Sequence, residues 1–344
     1  MANWHMSLKT SNTIKLTKPR KHLSRLKILL ICLGSLIAVL TGEIILNTQN
    51  PYALRDWWLM LGYNPPASIV SLANQDTMTP YARDLFYVNK PQLDLKPQFF
   101  KQCPNKVSYS YVIGCYHQGD NGIFLLNVQD PSLTGIVQVT AAYEMLHAGY
   151  ARLSTSQQKK IDNIMWSFYS SHNLGSEISS QMASYKASEP GEESDELYSV
   201  LATEVTSLPL SLNREYARYF YNRQKIVDLY LGYQSKFTAR NTLIKQDQAI
   251  LKTLKKQINS SQTNLDRLRQ ELTYLQQTMD NLKNQQNITA YNSYTSVYNS
   301  KVNEYNSLLV AVKSQINQYN QTVNYIDHLA TEEQQLVNAI NSRP

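Results

Sequence analysis

The chain is short of glycine and proline, with 11 and 12 among 344 residues. That argues against a turn-rich β-sandwich and favours long helices, as does the Asn/Gln richness toward the C-terminus. It has only three cysteines, Cys32, Cys103 and Cys115. This excludes a disulfide-dense scaffold, and no C-x-x-C redox pair or zinc-knuckle spacing occurs. No recognisable motif surrounds a Ser or Cys nucleophile. Charge of one sign is also scarce once it is located. The net +7 comes from Lys9, Lys15, Lys18, Arg20, Lys21, Arg25 and Lys27, with no Asp or Glu among residues 1–27. The remainder carries 26 basic and 26 acidic residues, so it is neutral and offers no basic groove for nucleic acid.

Long hydrophobic runs are lacking too, with one exception. Residues 28–46, ILLICLGSLIAVLTGEIIL, are broken only by Glu43. Nineteen such residues can cross a hydrocarbon core of about 30 Å. Glu43 falls near the far end, where a carboxylate reaches the interface. The basic tail, residues 1–27, keeps the N-terminus cytoplasmic and sends the rest across the membrane. The expectation is therefore a single-pass cell-membrane protein with a signal anchor at 28–46. The competing reading is a cleaved signal peptide, because the uncharged core of the run is short; no clear cleavage site follows, which favours a retained anchor. Both export the remainder, where Cys103 and Cys115 are expected to pair as a structural disulfide.

Beyond the anchor, residues 50–233 show the mixed pattern of a globular domain. Trp57 and Trp58 lie in a helix just past the membrane, as interfacial aromatics or first contacts of the domain. Two β-rich runs follow, VSYSYVIGCY and GIFLLNV, separated by the turn-like HQGDN. Helices are expected from about 136 to 152, from Ser154 (with Gln157 completing a capping box) to about 170, and from about 195 to 207. A last one runs through NREYARYFYNRQKIVDLYLGY. The fold class is α+β with helices dominant.

Residues 234–340 carry a heptad pattern. Phe237, Ile244, Leu251, Ile258, Leu265, Leu272 and Met279 recur every seven residues, with Leu254, Leu268, Leu275 and Leu282 on the second seam. After a break near NQQNIT, Tyr291, Tyr298, Tyr305, Val312, Tyr319 and Ile326 repeat likewise, with Val302, Leu309, Ile316, Val323 and Ala330 beside them. Two seams of similar length joined by a polar break predict an antiparallel coiled-coil hairpin, the alternative being helices that pair with a second subunit.

The segment VTAAYEMLHAGY, residues 139–150, resembles the metal-binding helix of gluzincin-type zinc metallopeptidases. It is most similar to a group of exported, membrane-anchored bacterial ectodomains in which this helix reads V-T-A-A-H-E-M-L-H-A-x-Y. In an H-E-x-x-H helix the two imidazoles lie four apart on one face and grip one ion, while the Glu polarises a bound water. Here Glu144 and His147 are kept, but Tyr143 stands at the first ligand position. The third ligand in such enzymes comes from a downstream helix. DELYSVLATE is similar to the group's N-E-L-H-S-I-L-G-T-E, which implies Glu196 for that role, with Glu204 as the lesser candidate. Tyr198 stands where the group has His. The resemblance covers about residues 103–233.

A phenol must lose a proton before it binds zinc, and its longer reach overshoots the ligand position. The expectation is a metallopeptidase-like pseudoenzyme with no cofactor, acting as an extracytoplasmic interaction protein. Its protein partner would be met by the coiled-coil arm or by a groove in the domain. The alternatives are an active zinc endopeptidase, with Glu144 catalytic and Tyr143 or His117 serving as a ligand, and a helical adaptor unrelated to peptidases. His172 and His328 are expected to face solvent, and the hairpin tyrosines to pack its seam.

Overall fold

The computed structural model describes residues 32–37, 39, 52–104, 111–119, 122–188, 190–341 and 343. Two units are distinguished, Met1–Arg55 and Asp56–Pro344. Most of the anchor expected over residues 28–46 lies outside the described residues; within it, residues 32–37 and 39 are helical. No helix among the described residues is long and apolar enough to cross a membrane.

The chain is helix-rich with few strands. Its described elements run α1 (Ala53–Met60), α2 (Ala67–Gln75), α3 (Pro80–Val88), β1 (Gln92–Asp94), α4 (Lys96–Gln102), β2 (Gly114–His117), β3 (Gly122–Leu126), a 3-10 turn (Pro131–Leu133), α5 (Ile136–Ala151), α6 (Thr155–Ser171), α7 (Ser176–Ser188), α8 (Glu193–Glu204), α9 (Leu210–Tyr216), α10 (Arg223–Asn284) and α11 (Ile288–Ile340). The strands form one small sheet in the order β1-β3-β2. β1 lies parallel to β3 with Leu93 beside Leu125, and β2 lies antiparallel with Cys115 beside Phe124. The expected strand VSYSYVIGCY begins outside the described residues, and only its end forms β2.

The core is built around α5. Ile136, Val139, Ala141, Ala142, Met145, Leu146 and Ala148 are all buried, so apolar side chains surround the helix instead of forming one stripe. A helix of that kind must be covered on every side. It packs against α2, α3, α8, α10 and the sheet. β2 reaches it through Gly114, where a Cβ would sit 2.4 Å from Thr140 Cγ2 and 2.6 Å from Glu144 Oε1. Any larger residue there would push the strand away from the helix. The expected capping box of α6 is formed: the Gln157 amide donates to Ser154 Oγ, and the Ser154 amide donates to Gln157 Oε1.

Several findings depart from the sequence pattern. The segment expected as one helix through residues 213–233 is split into α9 and α10, because the chain between them pairs with a distant strand-like segment. The Thr79 amide donates to the Tyr219 carbonyl and the Tyr221 amide to the Thr77 carbonyl, both at 2.9 Å. An unexpected helix, α7, occupies residues that read as polar. It is held by Ile178 and Met182, a four-residue spacing diluted by serines.

Nor does α10 begin at residue 234. Asn222 caps it, accepting from the Lys225 amide, and Ile226 and Val227 are fully buried in the globular core. The helix then continues unbroken for 62 residues and pairs with the 53-residue α11. The turn lies at Gln286, whose φ is +56°, and Asn287 caps α11. The ion pairs Arg240–Glu332 (3.0 Å) and Glu271–Lys301 (3.2 Å) join residues equidistant from Gln286, which defines one antiparallel register. Leu254, Leu265, Leu268 and Leu275 are buried on α10; Val312, Leu329 and Leu336 are buried on α11. On α11 the seam differs from the expected one: Ile316 and Ala330 are exposed, and Gln315, Thr322 and Leu329 take the inner line. A near-straight α-helix drifts against a strict seven-residue repeat, so the second seam line changes along a long helix. The end of α11 returns to the domain, where Leu336 packs with Leu133 and Ile136.

Candidate functional site

Helix α5 supplies Tyr143, Glu144 and His147, and the first turn of α8 supplies Asp195 and Glu196. The fourfold spacing of Tyr143 and His147 puts both rings on one face of α5, 5.0 Å apart and edge to face. That face looks at α8. The Tyr143 hydroxyl donates to Glu196 Oε2 at 2.5 Å. It also lies 3.1 Å from the Tyr185 hydroxyl of α7. A phenol has one hydrogen, and the carboxylate takes it, so Tyr185 serves as the donor in the second contact. His147 Nδ1 is 2.9 Å from Asp195 Oδ1, and its Nε2 is 3.7 Å from Glu196 Oε1.

The electrostatics follow from burial. Burial is the largest influence on Tyr143; Tyr185, Glu196 and Glu204 add to it, and together they push the phenol well above 10. It therefore keeps its proton. Burial alone would pull His147 down, but Asp195, Glu196 and Glu144 outweigh it and lift the imidazole well above 6.5. The imidazolium thus supplies positive charge amid three carboxylates, and the phenol supplies a hydrogen bond.

The structure therefore brings Tyr143, His147 and Glu196 to one place. Glu144 lies on the same helix with its carboxylate against Gly114 of β2. Glu204 sits at the other end of α8, where Gln181 donates to its Oε1 at 3.1 Å and burial lifts its pKa to about 7. Tyr198 points elsewhere. Its hydroxyl meets Glu215 Oε1 and the Tyr219 hydroxyl, each at 2.9 Å, inside an aromatic cluster with Tyr216. His172 and His328 are exposed. Sequence reasoning missed Asp195 and Tyr185. Asp195 directly precedes Glu196 on the segment already singled out, so its proximity to His147 had a signal. Tyr185 had none, because its helix was not anticipated.

As a zinc cradle the arrangement fits poorly. The phenol and Glu196 oxygens are at hydrogen-bond spacing, with the proton between them. Among the described residues, Glu144, His147 and Glu196 do not bring one donor atom each within 4.8 Å of one another. The one set that does is Cys103, Cys115 and His117. The two cysteines are joined as a disulfide, as expected. His117 belongs to that group, its Nε2 lying 3.1 Å from Cys115 Sγ.

Comparison with family models, with curated proteins and with solved structures finds no match to this chain.

Proposed function

We propose that this chain is a membrane-anchored, extracytoplasmic interaction protein. In this reading it is built on an inactive, gluzincin-like zinc-peptidase domain that carries a helical arm. The observation that carries the reading is the bond between Tyr143 and Glu196. The side chain at the first ligand position donates a hydrogen bond to the side chain at the third. A zinc site needs both as electron-pair donors to the ion, so hydrogen bonding between them replaces the metal function. His147, held by Asp195, completes the substitution by contributing positive charge where an ion would have supplied it.

The anchor rests on the sequence of residues 1–46. It is supported by Trp57, Trp58 and Leu61, which are 63%, 70% and 55% exposed at the start of the globular part, where interfacial aromatics belong. The arm rests on α10 and α11, whose lengths correspond to roughly 90 and 80 Å. A rigid helix pair rooted at both ends in the domain suits spacing or partner capture.

The testing experiment is incubation of the detergent-solubilised full chain with unstructured protein substrates, with and without added zinc. This reading predicts no cleavage in either. Cleavage that a chelator abolishes, and that a Glu144→Gln variant lacks, would establish the peptidase instead.

A further inference from the structure

The second group of ligand-type side chains lies outside the α5–α8 cluster, at the junction of α4 and the sheet. Cys115 and His117 are two apart on β2, so they share a face of the strand. Cys103 ends α4 and meets them from the side. The backbones stand 6.0 Å apart, Cα to Cα, at the two cysteines. One donor atom from each of the three residues falls within 4.8 Å of the others. Behind them, Cys103 is 4% exposed and packs with Phe99 and Leu126, an apolar back wall. Cys115 and His117 are only half-buried, so solvent reaches the group from one side. The His117 ring is steadied edge to face against Phe124 at 5.5 Å.

We propose that Cys103, Cys115 and His117 form a redox-gated site for a soft divalent ion of the zinc class. Oxidised, the sulfurs bond to each other and the group staples α4 to β2. A dithiol reductant gives two electrons and two protons to the S–S bond and leaves as its own cyclic disulfide; Cys103 and Cys115 become thiols. Zn2+ then displaces both thiol protons. Two thiolates and the neutral His117 Nε2 donate to it, and water takes the fourth position on the open side. The proposal is independent of the peptidase-like reading: it uses no residue of α5 or α8.

Cobalt(II) tests it, because thiolate ligation produces charge-transfer bands that oxygen and nitrogen ligands do not. The full chain carries a Cys32→Ser change to remove the third thiol. It is reduced with dithiothreitol, desalted without oxygen and titrated with Co2+. The expected result is one equivalent bound with thiolate-to-cobalt bands, no such bands in the oxidised chain, and affinity at least about tenfold weaker in His117→Ala. His147→Ala should leave the bands unchanged, which separates this site from the α5–α8 cluster. Absent bands in the reduced chain would overturn the proposal. So would equal affinity in His117→Ala, or loss of the helical circular dichroism on reduction.

Discussion

Changing Tyr143 to Phe removes one oxygen and keeps the ring that packs against His147. The lost hydroxyl bonds a carboxylate at 2.5 Å in a place where the Glu196 side chain is only 9% exposed. A hydrogen bond to a charged group contributes about 1.5–3 kcal/mol, and a buried carboxylate oxygen left without its donor adds a desolvation cost. The Tyr185 hydroxyl stands 3.1 Å from the missing atom. The expected destabilisation is roughly 2–4 kcal/mol, or a fall in Tm of about 10 °C for a domain of this size. Thermal unfolding followed by tryptophan emission measures it. Trp4, Trp57, Trp58 and Trp166 all lie outside the hairpin, and the Trp166 indole donates to Ser194 beside the cluster. In a Glu196→Gln background the same substitution should cost much less, since no charge is then stranded. A Tm within about 1 °C of the unaltered chain would refute the reasoning, because the phenol–carboxylate bond would then contribute nothing.

Three further outcomes are expected. Burial lifts Glu204 from 4.5 to about 7, so the folded chain holds a proton that the unfolded chain releases; its stabilising contribution is present below pH 4.5 and is lost as pH rises to 7. The gap corresponds to about 3 kcal/mol. Denaturant unfolding across that range should show the fall, and Glu204→Gln should reduce it, Asp76 contributing in the same direction because burial raises its carboxyl too. His147, also raised, acts in the same direction but only above pH 6.5, which separates the two. Arg152, with its side chain 1% exposed, grips Asp56 through Nε at 2.6 Å and Nη2 at 2.9 Å. Asp56→Ala should cost about 3 kcal/mol in chemical denaturation by removing the carboxylate that neutralises a buried guanidinium, which keeps its bond to the Ala148 carbonyl. Leu268, 1% exposed on the α10 seam, should cost about 2–5 kcal/mol as Leu268→Ala, read by far-ultraviolet circular dichroism, where the two long helices dominate.

The parts of the fold that were legible in the sequence are those with a short-range physical signature. The Ser154–Gln157 capping box fixes the start of α6 from residues three apart. The seven-residue recurrence through Leu251, Leu265 and Leu272 is a property of one helix face; Leu265 is buried in the hairpin and Leu251 and Leu272 are half-buried. What was not legible depends on distant partners. The break between α9 and α10 exists because residues 219–221 pair with residues 77–79, and nothing within NREYARYFYNRQ announces that pairing. Likewise α7 is stabilised by what it covers, and its two buried anchors are lost among serines. The candidate site divides in the same way. Tyr143, His147 and Glu196 were picked out by resemblance and do lie together. The hydrogen bond from Tyr143 to Glu196, the Asp195 partner of His147 and the Tyr185 contact are consequences of how three helices meet.

In the function proposed, the Tyr143 phenol, hydrogen-bonded to Glu196, stands at the position of a zinc ligand. Calorimetric titration of the oxidised full chain with Zn2+, beside its Tyr143→His variant, tests this most directly. The account predicts no stoichiometric binding that His147→Ala abolishes in the unaltered chain, and an affinity gain of at least about a hundredfold in Tyr143→His, where a neutral imidazole can donate. One tightly bound zinc per unaltered chain, lost in His147→Ala, would contradict it.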